Sequence, residues 1–279
     1  RTGELKAIVG GRYKPTTRKT LNRASGMNMP VGSSIKPLTV YAPAIDLGAS
    51  PASIAYNMPV PISGWKDSSG QDSWPKNYGG GGYKGPQSFR SALRNSYNTA
   101  AAQILMTYVG VSRSVEYLHL MGIPDKNINA DPFGLALGSS GITPVQMAVA
   151  FGTIANKGVY QQPLSFSRIV DSNGNVVVDM HQQQDRHQVF KPSTAYLVVD
   201  MLKEAVQKDP TRKISFVHVC KNKEAIPFRE ELALVVKEGN ASFEVFETSE
   251  HGRPSEDFFK SLVSQGADYC ICGPVPFMK

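Results

Sequence analysis

The chain has 279 residues, 41% of them hydrophobic and 19% charged, the make-up of a globular protein with room for one large or two small domains. It carries 30 Lys+Arg against 23 Asp+Glu, a formal net charge of +7. No apolar run approaches the roughly 18 residues of a membrane span, so no spanning helix is expected.

The first residues, Arg1-Thr2-Gly3-Glu4, lack the apolar core and cleavage site of a signal peptide and read as an excerpt from something longer. Residues 4–10 predict a short strand ended by Gly10-Gly11. Met29-Pro30-Val31-Gly32 leads into a helix carrying Ser33 and Lys36. Residues 63–86 predict a long polar loop. Its four glycines, Gly79 to Gly82, are no phosphate cradle, because no strand precedes them and no Gly-Lys-Ser/Thr follows. Residues 87–109 are helical on both sides of Ser96-Tyr97-Asn98, which places that triplet in a turn where side chains can enter a cleft. Thr143-Pro144-Val145-Gln146 starts a helix with a cap, a first-position proline and a capping-box partner. Its apolar face is Met147, Phe151 and Ile154, and Gly158 ends it. Ser193 is the expected cap of a further helix with Leu197, Val198, Met201 and Leu202.

From residue 213 the texture changes. KISFVHVC is a β-branched and aromatic run of the kind that forms a buried strand. Phe228, Leu232 and Val235 mark a helix, SFEVFE a second strand, Phe258 to Val263 a second helix, and DYCIC a third strand. That alternation predicts a partial Rossmann-like βαβαβ segment with parallel strands. Charge and cysteine shift at the same place. Residues 1–205 hold 20 Lys+Arg and 12 Asp+Glu, or +8; residues 206–279 hold 10 and 11, or −1, which restores the total of +7. Cys220, Cys270 and Cys272 all lie in the later part. The chain therefore reads as two pieces of different origin joined near residue 205. The basic excess of the first piece suits an anionic cell wall or a solvated surface. No basic run with interleaved aromatics points to nucleic acid, and His181 and His187 lack the companions of a metal site.

The chemistry sits in two short motifs. Ser33 and Lys36, three residues apart, share one helix face. A desolvated lysine loses affinity for its proton and can serve as a base; a hydroxyl beside such a base is the minimum equipment for covalent acyl transfer. Ser96 and Asn98 add a second hydroxyl and an amide that can orient a substrate. S-x-x-K followed by S-x-N is the start of a serine acyl-transfer signature whose third member is K-T-G. No Lys-Thr-Gly occurs in this sequence. The nearest lookalike, Lys237-Glu238-Gly239, offers a carboxylate where a hydroxyl is needed.

The surrounding text extends the match. TGELKAIVGGR, LNRAS, PVGSSIKPLTVYAPAIDLGASPAS, PKNY, GPQSFRSALRNSYNTAA and LALGSSGITPVQMAVAFGTIANKGVYQQP together resemble the transpeptidase domain of class A penicillin-binding proteins over roughly residues 1–205. The resemblance implies a mixed α/β penicillin-binding (serine β-lactamase-like) fold, truncated before its K-T-G strand, and an extracytoplasmic location. It implies that Ser33 is acylated by D-Ala-D-Ala stem peptides of peptidoglycan or by a β-lactam, without a cofactor. Lys36 would be its base, Ser96 the proton relay to the leaving group, Asn98 the holder of the substrate amide, and the Ser33 N–H half of the oxyanion hole. Residues 206–279 resemble the C-terminal NAD(P)H-binding lobe of flavohaemoglobin-type reductases, cytosolic proteins. Cys272-Gly273-Pro274 matches the motif near the nicotinamide. The lobe's first strand and Gly-rich pyrophosphate loop are missing, so weak NAD(P) affinity is expected.

Overall fold

The computed structural model describes residues 2–6, 8, 10, 11, 17, 19–80, 82–207, 214–220 and 241–247. The chain divides into two compact units, one of Arg1–Leu5 with Gly10–Ala205, the other of Lys6–Val9 with Val206–Lys279.

The axis of the first unit is the segment that follows Ser33. Leu38, Val40, Tyr41, Ala42 and Ala44 have no exposed surface; a helix apolar on every side belongs in a core. It opens as a 3₁₀ turn, Gly32–Ile35, passes through a π-turn, Pro37–Tyr41, and continues as the α-helix Ala42–Asp46. Pro37 accounts for the first change of pitch. It has no N–H to give the Ser33 carbonyl, which accepts from the Lys36 N–H instead. Helices Phe89–Arg94, Asn98–Ile104, Val111–Leu120 and Pro132–Leu137 pack around this axis. Their Phe89, Ile104, Leu118 and Leu135 are fully buried, each worth about 1.5–3 kcal/mol relative to exposure. The polar atoms inside are matched: the Thr39 hydroxyl lies 2.9 Å from the Ile35 carbonyl and 2.6 Å from that of Leu135, and Ser114 Oγ donates to the Thr39 carbonyl at 2.9 Å.

Within the described residues the strands form two-stranded pairs. Met29–Pro30 runs antiparallel to Gly141–Ile142, which fixes the approach to Ser33. Ile54–Asn57 pairs antiparallel with Gly85–Ser88 and delivers the chain to the Phe89–Arg94 helix, capped by Ser88. In that helix Arg90 pairs with Asp200 and Glu204, and Arg94 with Glu204, tying it to the Pro192–Gln207 helix. These pairs are partly exposed, so each contributes little.

The helix expected from Thr143 forms as Pro144–Ala155, with the Thr143 hydroxyl accepting the Gln146 N–H at 3.2 Å and the Gln146 side chain accepting the Thr143 N–H at 3.0 Å. Three expectations are corrected. The strand at 4–10 reduces, in its described part, to one parallel bridge between Glu4 and Leu164; Ala7 and Val9 lie outside the described residues. The stretch 63–86 is no simple loop. Ile62–Lys66 pairs with Asp72–Ser73 as a hairpin, with Trp65 buried and Gly70 in the left-handed region at its turn. Ser193 does not cap its helix, because Pro192 already occupies the first helical position.

In the second unit Ile214–Cys220 and Ala241–Glu247 run parallel and in register, Ile214 opposite Ala241 and Cys220 opposite Glu247. Both match expected strands. The helices and third strand expected there, and Cys272, Gly273 and Pro274, lie outside the described residues.

Candidate active site

Ser33 is the second residue of its 3₁₀ turn and is exposed, whereas Lys36, three residues on, has no exposed surface. Side chains at i and i+3 eclipse in a 3₁₀ turn, so the turn sets the hydroxyl at the surface above the root of the amine. Ser34 is not equivalent: its Oγ donates to the Val31 carbonyl at 2.6 Å and closes the turn. Gly32, at φ 57, lets the chain enter the turn from the Met29–Pro30 strand.

Ser96 stands where expected, between the helices Phe89–Arg94 and Asn98–Ile104. Its φ of 52 is left-handed, uncommon for a residue with a Cβ. Backbone bonds from Ser96 N to Leu93 O and from Tyr97 N to Ala92 O hold the turn. That conformation aims both the carbonyl and the hydroxyl of Ser96 at one point, and the Lys36 amine occupies it. Lys36 Nζ donates to Ser96 O at 2.8 Å, lies 3.2 Å from Ser96 Oγ and donates to Asn98 Oδ1 at 2.6 Å. Burial lowers the amine's pKa from 10.5 to about 8. Ser33, Ser96 and Asn98 line one open cleft of about 440 Å³, with Asn77, Tyr78 and Leu137 among its walls; Lys36 is not among the lining residues and reaches the site through its bonds to Ser96 and Asn98.

Residues that the sequence reading did not single out complete the arrangement. Asn98 is held by the 76–77 segment: its N–H donates to Asn77 Oδ1 at 2.8 Å and its Nδ2 to the Lys76 carbonyl at 2.8 Å. Asn77 Nδ2 in turn donates to Asn57 Oδ1 at 2.7 Å, as does the Thr99 hydroxyl at 2.7 Å. The Gly138 carbonyl, on a residue at φ 78, accepts the Gly32 N–H at 2.9 Å and clamps the entry to the Ser33 turn. The hints in the sequence were the segments PKNY, NSYNTAA and LALGSSG, which carry Asn77, Thr99 and Gly138 and belong to the stretches that resemble the family.

The family model "Penicillin binding protein transpeptidase domain" matches residues 1–219. The chain belongs to the penicillin-binding protein transpeptidase family. Penicillin-binding protein 1A of Clostridium perfringens strain 13 is 34% identical over 228 residues, spanning 78% of this chain and 33% of that protein. Penicillin-binding protein 1A of Clostridium botulinum strain Hall is 36% identical over 216 residues, covering 75% and 25%. This chain therefore spans about a third or less of the length of such relatives. Among solved structures, penicillin-binding protein 1A from Haemophilus influenzae superposes with a TM-score of 0.58 at 25% identity, over 70% of this chain and 32% of that one. PonA1 from Mycobacterium tuberculosis, solved with penicillin V, shares the fold with a TM-score of 0.55 at 22% identity, covering 66% and 49%. The penicillin-binding transpeptidase fold, mixed helix and sheet, is thereby established for the first unit. A second family model, "Oxidoreductase NAD-binding domain", matches residues 195–279 and overlaps the first over residues 195–219. No helix among the described residues is long and apolar enough to cross a membrane.

Proposed function

We propose that the first unit is a serine D,D-transpeptidase domain that acts on peptidoglycan stem peptides and is acylated by β-lactams at Ser33. The observation that carries this reading is the buried Lys36 amine, held by Ser96 and Asn98 one 3₁₀ turn below an exposed Ser33. In its neutral form the amine takes the Ser33 hydroxyl proton. Ser33 Oγ attacks the carbonyl carbon of the terminal D-Ala-D-Ala bond, or of a lactam ring. The C–N bond breaks, and the departing nitrogen receives a proton relayed from Lys36 through Ser96 Oγ. An acyl-ester on Ser33 remains for attack by a second amine. Such a substrate puts the domain on the outer face of a bacterial membrane.

The reaction is expected to be slow. The resemblance assigns to the K-T-G strand one oxyanion donor and the substrate carboxylate's anchor, and the sequence has no such triplet. Loss of one oxyanion donor alone costs on the order of 10²–10³ in rate. A fluorescent penicillin tests the reading on the 279-residue chain: a covalent mass increase mapping to Ser33, and none in Ser33→Ala, is expected. A chain that takes no label at millimolar drug overturns it.

A second reading concerns residues 206–279. Their NAD-binding family match and the parallel pair Ile214–Cys220 with Ala241–Glu247 favour a remnant of a dinucleotide-binding lobe, with Cys272, Gly273 and Pro274 beside the nicotinamide. This makes the chain a hybrid of two proteins joined near residue 205. Titration calorimetry with NADH is expected to give weak binding, in the upper micromolar range or above, and no heat at millimolar ligand removes the reading.

A further inference from the structure

The site has a second layer that its reacting groups do not include. Asn98 is fixed at three atoms: Oδ1 faces the Lys36 amine at 2.6 Å, while Nδ2 and the backbone N–H are held at 2.8 Å each by Lys76 O and Asn77 Oδ1. The polarity of this chain of bonds is determined. A backbone N–H can only donate, so Asn77 must present its oxygen to Asn98 and its nitrogen to Asn57. Asn57 must then present its oxygen, which also accepts from Thr99, and its own Nδ2 is left buried without a partner. A buried unpaired amide hydrogen costs stability. Asn57 has no exposed surface, and it carries this cost on the last residue of the strand that leads toward the cleft.

We propose that Asn77, anchored by Asn57, is a positioning residue of the acylation site: it holds the 76–77 segment, whose Lys76 carbonyl fixes which face of the Asn98 amide meets Lys36. The inference rests on the acyl-transfer reading above. If the 76–77 segment lets go, Asn98 is free to turn its amide, and a nitrogen facing the amine removes an acceptor from the ammonium and repels it. The groups that meet the Lys36 amine, Ser96 O, Ser96 Oγ and Asn98 Oδ1, are all neutral, and burial is the cause of its lowered pKa. On the segment itself, Lys76 is the charged neighbour and is exposed. A charge placed at 77 is therefore expected to register at Lys36.

Three variants of the 279-residue chain separate the outcomes. Asn77→Ala removes both bonds and is expected to slow β-lactam acylation at least ~10-fold per folded molecule, because small misplacements of a reacting group are costly. Asn77→Asp keeps the acceptor for the Asn98 N–H but adds a negative charge. It is expected to move the acid limb of the acylation–pH profile upward by about 0.5 pH unit or more. Asn77→Ser, which can still accept, is expected to recover part of the alanine loss. If all three acylate at the parent rate with an unmoved pH profile and differ only in unfolding midpoint, Asn77 is merely structural and the proposal falls, while the proposed function stands. NMR titration of ¹³Cε-labelled lysine reads the coupling without substrate. If the parent chain takes no penicillin, the function falls, and an unchanged Lys36 midpoint in Asn77→Asp then overturns the positioning role independently; an upward shift sustains it.

Discussion

Replacing Lys36 with methionine is expected to slow acylation of Ser33 by roughly 10²–10⁴-fold, the usual contribution of a positioned general base, while the chain stays folded. The two halves of that expectation come from the same burial. Folding lowers the amine's pKa from 10.5 to about 8, which at ~1.4 kcal/mol per pH unit amounts to about 3 kcal/mol against the charged form. The sign follows from proton binding. Between pH 8 and 10.5 the unfolded chain holds the proton and the folded chain does not, so stability rises with pH through that window. Below pH 8 the full penalty is present. Methionine, of similar length, removes it. Against that gain, Ser96 O, Ser96 Oγ and Asn98 Oδ1 lose their common donor; Ser96 is exposed and Asn98 half-buried, so water can replace it and the loss is about 0.5–1.5 kcal/mol per bond. The two effects are of the same order, so the urea midpoint at pH 7 is expected to move little. The same lowered pKa predicts the pH profile of the parent chain. The base works only when neutral, so the acylation rate is expected to rise about tenfold per pH unit up to about 8 and then level off. Stopped-flow or gel-based acylation rates between pH 5.5 and 9 check it. A flat profile, or a Lys36→Met chain within tenfold of the parent, would remove Lys36 from the role of base.

The ease with which the sequence disclosed this site varied with the distance over which its contacts run. Ser33 and Lys36 are three residues apart, and Ser96 and Asn98 two, so spacing alone grouped each pair. Pitch was harder to read. The spacing implied an ordinary helix, but Pro37 withholds an N–H from the Ser33 carbonyl and makes the start a 3₁₀ turn. That change matters, because it separates an exposed hydroxyl from a fully buried amine. The hairpin at 62–73 was missed for a local reason. Its buried residues, Ile62 and Trp65, are three apart, since the register shifts between Ile62 and Lys66, and the alternation that signals a strand is lost. Pro192 was a sufficient sign of a helix start that the more familiar serine beside it concealed. The bonds that fix Asn98 run from 57 to 77 to 98, and the clamp on the Ser33 turn joins 32 to 138. Neither has a periodicity or a spacing, because each is made by tertiary packing. Asparagine and glycine at such positions look like ordinary turn formers until the fold brings them together.

The clamp supplies the other large effect. Gly138 follows the Pro132–Leu137 helix in the left-handed region, at φ 78 and ψ 40, and its carbonyl accepts the Gly32 N–H. A Cβ built there would overlap the Gly32 backbone, carbonyl oxygen included. Gly32 is itself left-handed, at φ 57, yet a Cβ on it would meet nothing within 4 Å. The two glycines therefore make a matched pair. Gly32→Ala adds left-handed strain alone, about 1–2 kcal/mol. Gly138→Ala adds the same strain and also pushes back the residue that precedes Ser33, for a total expected loss of about 2–4 kcal/mol. Displacing that turn by a fraction of an ångström moves the Ser33 hydroxyl relative to Lys36, whose amine is anchored separately on the Ser96 turn. The Gly138 contact is thus one of the restraints, beside the Ser34 bond to Val31 and the Lys36 N–H bond to the Ser33 carbonyl, that set the Ser33 hydroxyl against the Lys36 amine. Acylation in Gly138→Ala is expected to fall on the order of 10²-fold, well beyond the fall in Gly32→Ala, with both measured at a temperature where urea titration shows each chain folded. Equal losses in the two variants would mean that left-handed strain, and not the clamp, governs the nucleophile's position.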